Sequence, residues 1–172
     1  MDICEVIDRL DLPSGEYVVL GSGILGALGI RDIKDVDLLV TPRLFAQLRK
    51  RGWRYSTVDI EGQMREKLTF GVAEAFQDFW YGDQNPDPAQ LFATAELIKG
   101  VPFLSLAALL KIKQVLGRPK DKADIILIEN YLARLAIPQS QLIDKAYVDM
   151  LRSNMSDPSV SSVVSHRKGE QL

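Results

Sequence analysis

Two aspartates one residue apart, Asp35 and Asp37, are the side chains of this 172-residue chain whose spacing most directly suggests chemistry. They open an apolar run that ends at Val40 and is typical of a β-strand. Because side chains alternate along an extended strand, both carboxylates lie on one face and repel each other unless a cation lies between them. Hard divalent ions take oxygen ligands, so the pair predicts a site for Mg²⁺ or Mn²⁺.

A strand, a glycine turn and a short helix precede the aspartates. Residues 17–20 form a continuous apolar run, typical of a strand buried on both faces, and Gly21-Ser22-Gly23 follows it directly. A glycine lets the backbone approach phosphates closely. Ser22 adds a hydroxyl and a backbone N–H at the start of a helix over 24–28, where the helix dipole favours anions. The stretch therefore predicts a phosphate-binding turn beside a metal–nucleotide site.

The same glycines match G-x-G-x-x-G, the dinucleotide-binding fingerprint, over 21–26. That interpretation is disfavoured because the helix has barely two turns before Gly29, and because the acids begin the second strand instead of ending it. The remaining chain also has too few strands for a doubly wound sheet. A P-loop is excluded, since no Gly-Lys-Ser/Thr follows the glycines.

The rest of the chain predicts an α+β fold. Helices are predicted over 2–10, from Pro42, over 88–98, from Ser105 to Gly117, from a restart over 118–121 to a break at Pro138, and over 139–151. A strand or loop is predicted over 53–59, one or two strands over 68–80 with a turn near Gly71, and a turn over 99–102. The expected domains are an α/β core over 1–100, a helical block packed on it over 101–152, and a flexible, Ser-rich tail over 153–172.

Composition sets broad limits on function. Apolar residues make up 47% and charged residues 26%, ordinary for a soluble domain with a real core. The net charge of −2 gives no general attraction to nucleic acid or anionic lipid. The single cysteine, Cys4, excludes an internal disulfide and a Cys-based zinc cluster. The start of the chain does not resemble a signal peptide, and no apolar stretch approaches the roughly 20 residues that span a bilayer. We therefore expect a cytoplasmic protein with no membrane partner.

The order of apolar strand, Gly21-Ser22, roughly a dozen residues and then Asp35-Val-Asp37-Leu resembles the nucleotidyltransferase superfamily. It is most similar to small bacterial and archaeal members related to aminoglycoside nucleotidyltransferases and to nucleotidyltransferase-type toxins. The resemblance covers about residues 15–130 and implies a polymerase-beta-like fold, with a small mixed sheet, flanking helices and a C-terminal helical block. A helical signature of the same members follows downstream, at 101–113 and then 117–125.

The resemblance implies a Mg²⁺-dependent (or Mn²⁺-dependent) enzyme. Such an enzyme transfers a nucleoside monophosphate from an NTP, with ATP among the candidates, to an acceptor hydroxyl. The acceptor is left open between a small molecule, a protein and an RNA. The alternative function is a non-catalytic nucleotide-binding or partner-binding module on the same fold, with the third acid of the family lost.

The resemblance also assigns roles to individual residues. Metal binding and catalysis fall to Asp35 and Asp37, and nucleotide contacts fall to Gly21, Ser22, Arg31 and Lys113. The family usually adds a third carboxylate from a later strand, which acts as general base. Glu74 is preferred here because residues 72–76 give the better strand context. Asp78 stays the alternative, because both acids share a face if the strand is continuous.

Several charged side chains have a simpler interpretation. Lys113 and Arg31 are alternatively solvated surface groups. A basic cluster is expected to be a solvated helix end, with a polyanionic acceptor such as RNA as its functional alternative: Arg43, Lys50, Arg51 and Arg54. Three residues are expected to cap and pair at a helix start instead of acting on substrate: Lys120, Asp121 and Asp124.

Overall fold

The computed structural model describes residues 1–60 and 62–136, which form an α+β fold as the sequence predicts. The chain divides into two compact units, residues 1–130 and 131–172, and the described part of the second is the helix end over 131–136. The predicted break at Pro138, the helix over 139–151 and the tail over 153–172 lie outside the described residues. The domain boundaries expected from the sequence stay a prediction.

The described residues form six helices and seven strands. The helices are α1 (Ile3–Leu10), α2 (Gly23–Ala27), α3 (Pro42–Lys50), α4 (Pro88–Ala93), α5 (Leu106–Leu116) and α6 (Pro119–Ala136). The strands are β1 (Tyr17–Val19), β2 (Val36–Val40), β3 (Arg54–Ile60), β4 (Gln63–Phe70), β5 (Ala73–Phe76), β6 (Glu96–Ile98) and β7 (Val101–Phe103). None of the helices in this part of the chain combines the length and apolarity that crossing a bilayer needs.

The seven strands form one mixed sheet in the order β3-β4-β5-β2-β1-β7-β6. β2 pairs antiparallel with β1 and parallel with β5, while β1 pairs parallel with β7. β1 and β2 are therefore central strands, which explains why their sequences are nearly continuous apolar runs. Every β2 residue except Asp37 is fully buried. Placing a carboxylate in the middle of a sheet costs free energy unless its charge is paired or hydrogen-bonded.

Helix α5 begins and ends where the sequence predicts. The Ser105 hydroxyl accepts a hydrogen bond from the backbone N–H of Ala108 at 3.2 Å, and Gly117 ends the helix at a φ of 57°. Leu109 and Ile112 bury one face of the helix. This packing fixes the position of Lys113, which follows Ile112 and lies on the buried side.

The prediction of one helix over 88–98 is wrong after Ala93, and the turn predicted over 99–102 is limited to its first two residues. α4 ends at Ala93, and β6 and β7 form an antiparallel hairpin. Its turn is at Lys99 and Gly100, with φ of 51° and 81°. Each strand has only three residues, too few for an alternating pattern to be told from a helical one.

The structure also decides the secondary structure of two segments for which the sequence allowed alternatives. The segment over 53–59 is mostly strand β3, and the segment over 68–80 holds the end of β4 and all of β5, separated by a turn at Gly71 with a φ of 58°. β5 ends at Phe76. The strand is therefore not continuous through Asp78, which removes the premise that Glu74 and Asp78 share one strand face.

Candidate active site

Neighbouring positions on the two parallel strands β2 and β5 hold two of the predicted carboxylates. The register pairs Asp37 directly with Glu74. Asp35 lies one residue before β2 and is exposed. Because directly paired residues on adjacent strands project from the same face, Asp37 and Glu74 point to the same side of the sheet.

The surroundings of Asp37 disfavour the ionised form of its carboxyl group. Burial raises the pKa of Asp37, and the carboxylates of Asp35 and Glu74 raise it further, to about 6. Lys120 and Lys67 oppose the shift without cancelling it. Burial and like charges both disfavour the ionised form of a carboxyl group. A bound cation would relieve the repulsion at this position.

The glycine turn lies directly against the Asp37 carboxylate. Gly21 has a φ of 57°, and a Cβ added there would lie 3.1 Å from Asp37 Oδ2. Just before it, the backbone N–H of Leu20 donates to the carbonyl oxygen of Asp37 at 2.8 Å. Glycine is required at this position by the left-handed backbone and by the close approach of the carboxylate. The structure thus brings Gly21 and Asp37 together as the sequence predicts.

Glu74 is held by a lysine that the sequence analysis did not identify. Lys67 Nζ donates to Glu74 Oε1 at 2.7 Å, and both side chains are partly buried. A signal for this pair exists in the sequence. The β4–β5 hairpin turns at Gly71 and pairs Thr69 with Glu74, so alternation along β4 places Lys67 on the same face as Glu74.

Asp78, the alternative third acid, has a different partner. Its Oδ1 accepts hydrogen bonds from Arg65 Nε at 2.9 Å and from Arg65 Nη2 at 2.7 Å, and Arg65 also donates to the Asp78 backbone carbonyl. Arg65 is only 6% exposed, and its guanidinium lies over the Phe76 ring. Of the two candidates, the structure therefore places Glu74 beside Asp37 and engages Asp78 with a buried arginine.

Ser22 and Arg31 are joined through Asp124, which is 102 residues from Ser22 in the chain. Arg31 Nε donates to Asp124 Oδ1 at 2.6 Å, and its Nη2 donates to the Ser22 hydroxyl at 2.8 Å. The Ser22 hydroxyl donates to Asp124 Oδ2 at 3.4 Å. These bonds tie the glycine turn to helix α6.

Lys113 completes this cluster from α5. Its Nζ lies 2.8 Å from Asp124 Oδ2 and 3.0 Å from Asp121 Oδ1, and the residue is 5% exposed. The alternative interpretation of Lys113 as a solvated surface group is wrong, because α5 packs its Lys113 face against α6. Pairing of Asp121 and Asp124 near the start of α6 is confirmed, with Arg118 donating to Asp121 Oδ2 at 2.6 Å.

The Asp124 carboxyl shows the effect of these partners. Burial would raise its pKa, but hydrogen bonds from Arg31 and Lys113 and their positive charges outweigh burial and lower the pKa to about 2. We use the name charged cluster for Ser22, Arg31, Lys113, Asp121 and Asp124. Its carboxylates have cationic partners at hydrogen-bond distance, which is the condition for burying charge at low cost.

A pocket of about 230 Å³ adjoins the carboxylates. Its wall combines acids, cations, aromatic and aliphatic side chains. Positive charges come from Arg65, Lys113, Arg118 and Lys120, and aromatic rings come from Phe76, Phe79 and Trp80. A larger cavity of about 510 Å³ borders α1 and the β6–β7 turn, and the described residues that line it include none of the predicted site residues.

The donor set fits a magnesium ion that is completed by substrate. In the described part of the chain, no three His, Cys, Asp or Glu side chains come close enough to hold a metal by themselves. Mg²⁺ commonly uses one or two carboxylates, with water and substrate phosphates as further ligands. Asp35 and Asp37 supply such a pair. Burial first, and the neighbouring carboxylates of Asp35 and Glu74 second, raise the pKa of Asp37, and a divalent ion there would favour its ionised form.

No protein-family model matches the chain, and no curated protein matches it. Three solved structures are similar. The antibiotic-resistance factor ANT(2'')-Ia in solution has a TM-score of 0.43 and 15% identity, covering 90% of this chain and 93% of that chain. ANT(2'')-Ia in complex with adenylyl-2''-tobramycin has a TM-score of 0.43 and 16% identity, covering 87% and 95%. An antigenic nucleotidyltransferase-like protein from Paracoccidioides brasiliensis has a TM-score of 0.39 and 21% identity, covering 93% and 87%. At these identities and TM-scores the similarities assign this chain no family, activity or substrate.

Proposed function

We propose that the chain is a metal-dependent nucleotidyltransferase. It moves a nucleoside monophosphate from an NTP to an acceptor hydroxyl on a small molecule, a protein or an RNA. The observation that carries the proposal is the placement of Asp37 opposite Glu74 on neighbouring strands, with the Gly21 turn against the Asp37 carboxylate. Two further carboxylates, Asp35 and Glu74, act on Asp37 at this position, and a pocket adjoins it.

Asp35 and Asp37 are the residues that would hold a divalent ion, Mg²⁺ or Mn²⁺. When bound, that ion supplies charge neutralisation for the triphosphate and the leaving pyrophosphate. Gly21 would bring its backbone close to a phosphate held at Asp37, because a side chain at this position would crowd the Asp37 carboxylate. Lys120 is exposed, lines the pocket and lowers the pKa of Asp37, so it is suited to contact the phosphates as well.

Glu74 would act as general base. The acceptor oxygen forms a bond to the α-phosphorus, the bond from that phosphorus to the bridging oxygen breaks, and pyrophosphate leaves with the electron pair. The hydroxyl proton passes to Glu74. Lys67 is bonded to Oε1 of this carboxylate, so Oε2 is the atom that would take the proton.

The predicted nucleotide contacts of Ser22, Arg31 and Lys113 remain a proposal. Lys113 lines the pocket, which supports its contact with the nucleotide. Arg31 and Ser22 are bonded to each other and to Asp124, which favours an additional role in holding the glycine turn. The expected cytoplasmic location also stays a prediction.

One observation supports the alternative of a non-catalytic nucleotide-binding or partner-binding module. The third acid, Glu74, is paired with Lys67 in the described structure. A carboxylate held in an ion pair is a plausible binding-site component even without catalysis. The alternative predicts triphosphate binding without turnover, whereas the enzyme predicts transfer.

The test is to incubate the protein with Mg²⁺ and each labelled NTP, using cell extract as the source of acceptor. We expect label transfer that falls by at least about a thousandfold in Asp37→Ala, because binding and charge neutralisation at the phosphates are lost together. Asp8→Ala, an exposed aspartate on α1, is the matched control and should transfer label normally. Triphosphate binding with no transfer would support the module. Absence of triphosphate binding would contradict both functions.

A further inference from the structure

Two lysines lie near the proposed metal site, Lys120 in the wall of the adjoining pocket and Lys67 beside Glu74. Lys120 is exposed, so it can move toward or away from a ligand. Lys67 is different, because its side chain is 19% exposed and its Nζ is 2.7 Å from Glu74 Oε1.

The position of Lys67 follows from the β4–β5 hairpin. The hairpin pairs Thr69 with Glu74 and Leu68 with Ala75, so Lys67 lies diagonally across from Glu74 on the same face. This diagonal is within reach of a long side chain. The strands on both sides of the pair belong to one continuous sheet. The ammonium group is therefore held beside Glu74 by the sheet itself.

We infer that Lys67 is a resident cation that neutralises Glu74, so that the site takes a single divalent ion, at Asp35 and Asp37. This inference rests on the proposed metal-dependent function. Nucleotidyl-transfer sites with two metal ions place them about 3.5–4 Å apart between shared ligands. Here a second ion at Glu74 would have to displace an ammonium group from hydrogen-bond distance.

The Lys67–Glu74 contact supports the same conclusion. Glu74, paired with Lys67 at one oxygen, keeps its other oxygen for the acceptor hydroxyl. Lys67 is thus a positioning residue for Glu74 as well as a counter-ion.

The test is titration of the full chain with Mn²⁺ alone, counting bound ions by electron paramagnetic resonance. We expect the unsubstituted protein and Lys67→Arg to bind one Mn²⁺ per chain. Lys67→Met should bind a second Mn²⁺, or bind the first about tenfold more tightly, because removing one adjacent charge changes affinity by at least that factor. The double variant Lys67→Met/Glu74→Gln should return to one ion at the original affinity.

Lys99→Met is the matched control. Lys99 is also in an ion pair, 3.6 Å from Asp2, but it lies at the β6–β7 turn, at the opposite edge of the sheet from β3. Its Mn²⁺ binding should equal that of the unsubstituted protein. Circular dichroism checks that each variant is folded, and the unsubstituted protein and Lys67→Arg test the inference independently of Lys67→Met.

Failure of the inference about Lys67 and failure of the proposed metal site give different Mn²⁺-binding results. Two Mn²⁺ ions on the unsubstituted protein would overturn the role of Lys67 and leave the proposed metal site intact. Equal stoichiometry and affinity in Lys67→Met and the unsubstituted protein would do the same. Absence of Mn²⁺ binding in both proteins would overturn the metal site, and the inference with it.

Discussion

Two regions of the molecule hold aspartates in opposite electrostatic states. One is the strand pair β2 and β5, which includes Asp37, and the other is the charged cluster between α5, α6 and the glycine turn, which includes Asp124. In the first region the pKa of Asp37 is raised to about 6 by burial and by Asp35 and Glu74. In the second, hydrogen bonds from Arg31 and Lys113 overcome burial and lower the pKa of Asp124 to about 2. Burial raises the pKa of both aspartates, and the cationic partners outweigh it at Asp124 but not at Asp37.

This difference separates a structural role from a binding role. The carboxylates of the charged cluster are already satisfied by cations of the same chain, and the cluster joins elements far apart in sequence. At Asp37, burial and the carboxylates of Asp35 and Glu74 outweigh the positive charges of Lys120 and Lys67. A folded protein retains such an imbalance most readily where a ligand supplies the missing charge. Substitutions in the two regions should therefore change different properties.

The largest expected effect on stability is from Asp124→Asn in the charged cluster. Removing this carboxylate leaves Lys113 buried with one partner fewer and Arg31 without its acid, which should lower the free energy of unfolding by about 3 kcal/mol at pH 7. Urea denaturation measures the change. The pKa of Asp124 is depressed, so its contribution is present above the unfolded value of 3.8 and is lost as pH falls through about 2.

The difference between Asp124→Asn and the unsubstituted protein should accordingly shrink in acid. Asp8→Asn, on the exposed side of α1, is the control and should change the free energy of unfolding by less than about 0.5 kcal/mol. Equal stability of Asp124→Asn and the unsubstituted protein at pH 7 would remove the contrast between the two regions.

A second pair of variants sharpens the comparison between the two candidate bases. Glu74→Gln should lower the rate of nucleotidyl transfer by about a hundredfold, because the proton acceptor is lost, with little change in stability. Asp78→Asn should lower the free energy of unfolding by about 2 kcal/mol, because buried Arg65 loses its charged partner. Its transfer rate should change far less than that of Glu74→Gln. The reverse pattern would assign the base to Asp78.

The smallest expected effect has the opposite sign. In metal-free protein, Asp37→Asn should raise the free energy of unfolding by about 2 kcal/mol at pH 8 and change it little at pH 4. The pKa of Asp37 is raised in the folded state, so stability from this group is full below the unfolded value of 3.8 and is lost as pH rises through about 6. Thermal unfolding at both pH values measures this. A destabilised variant at pH 8 would show that Asp37 has a cationic partner of its own.

Local sequence patterns predict much of the fold and part of the site. Each of these patterns acts within a few residues of the chain. The apolar run before Gly21 predicts β1, the run that follows Asp35 predicts β2, and the cap at Ser105 predicts the start of α5. The β6–β7 hairpin was not predictable, because three-residue strands carry no readable period and are defined by the pairing of β7 with β1 and of β6 with β7. The choice between Glu74 and Asp78 also needed the strand end at Phe76.

The sequence by itself determined that two acids and a glycine turn lie close together, because they belong to one strand–turn–strand unit whose geometry is local. Only the tertiary structure decided which charges are neutralised. Asp124 meets Ser22 across 102 residues, and Lys67 meets Glu74 across a hairpin. The physical reason is that the energy of a charge depends on neighbours within a few ångströms and on burial, and both are set by packing between distant segments.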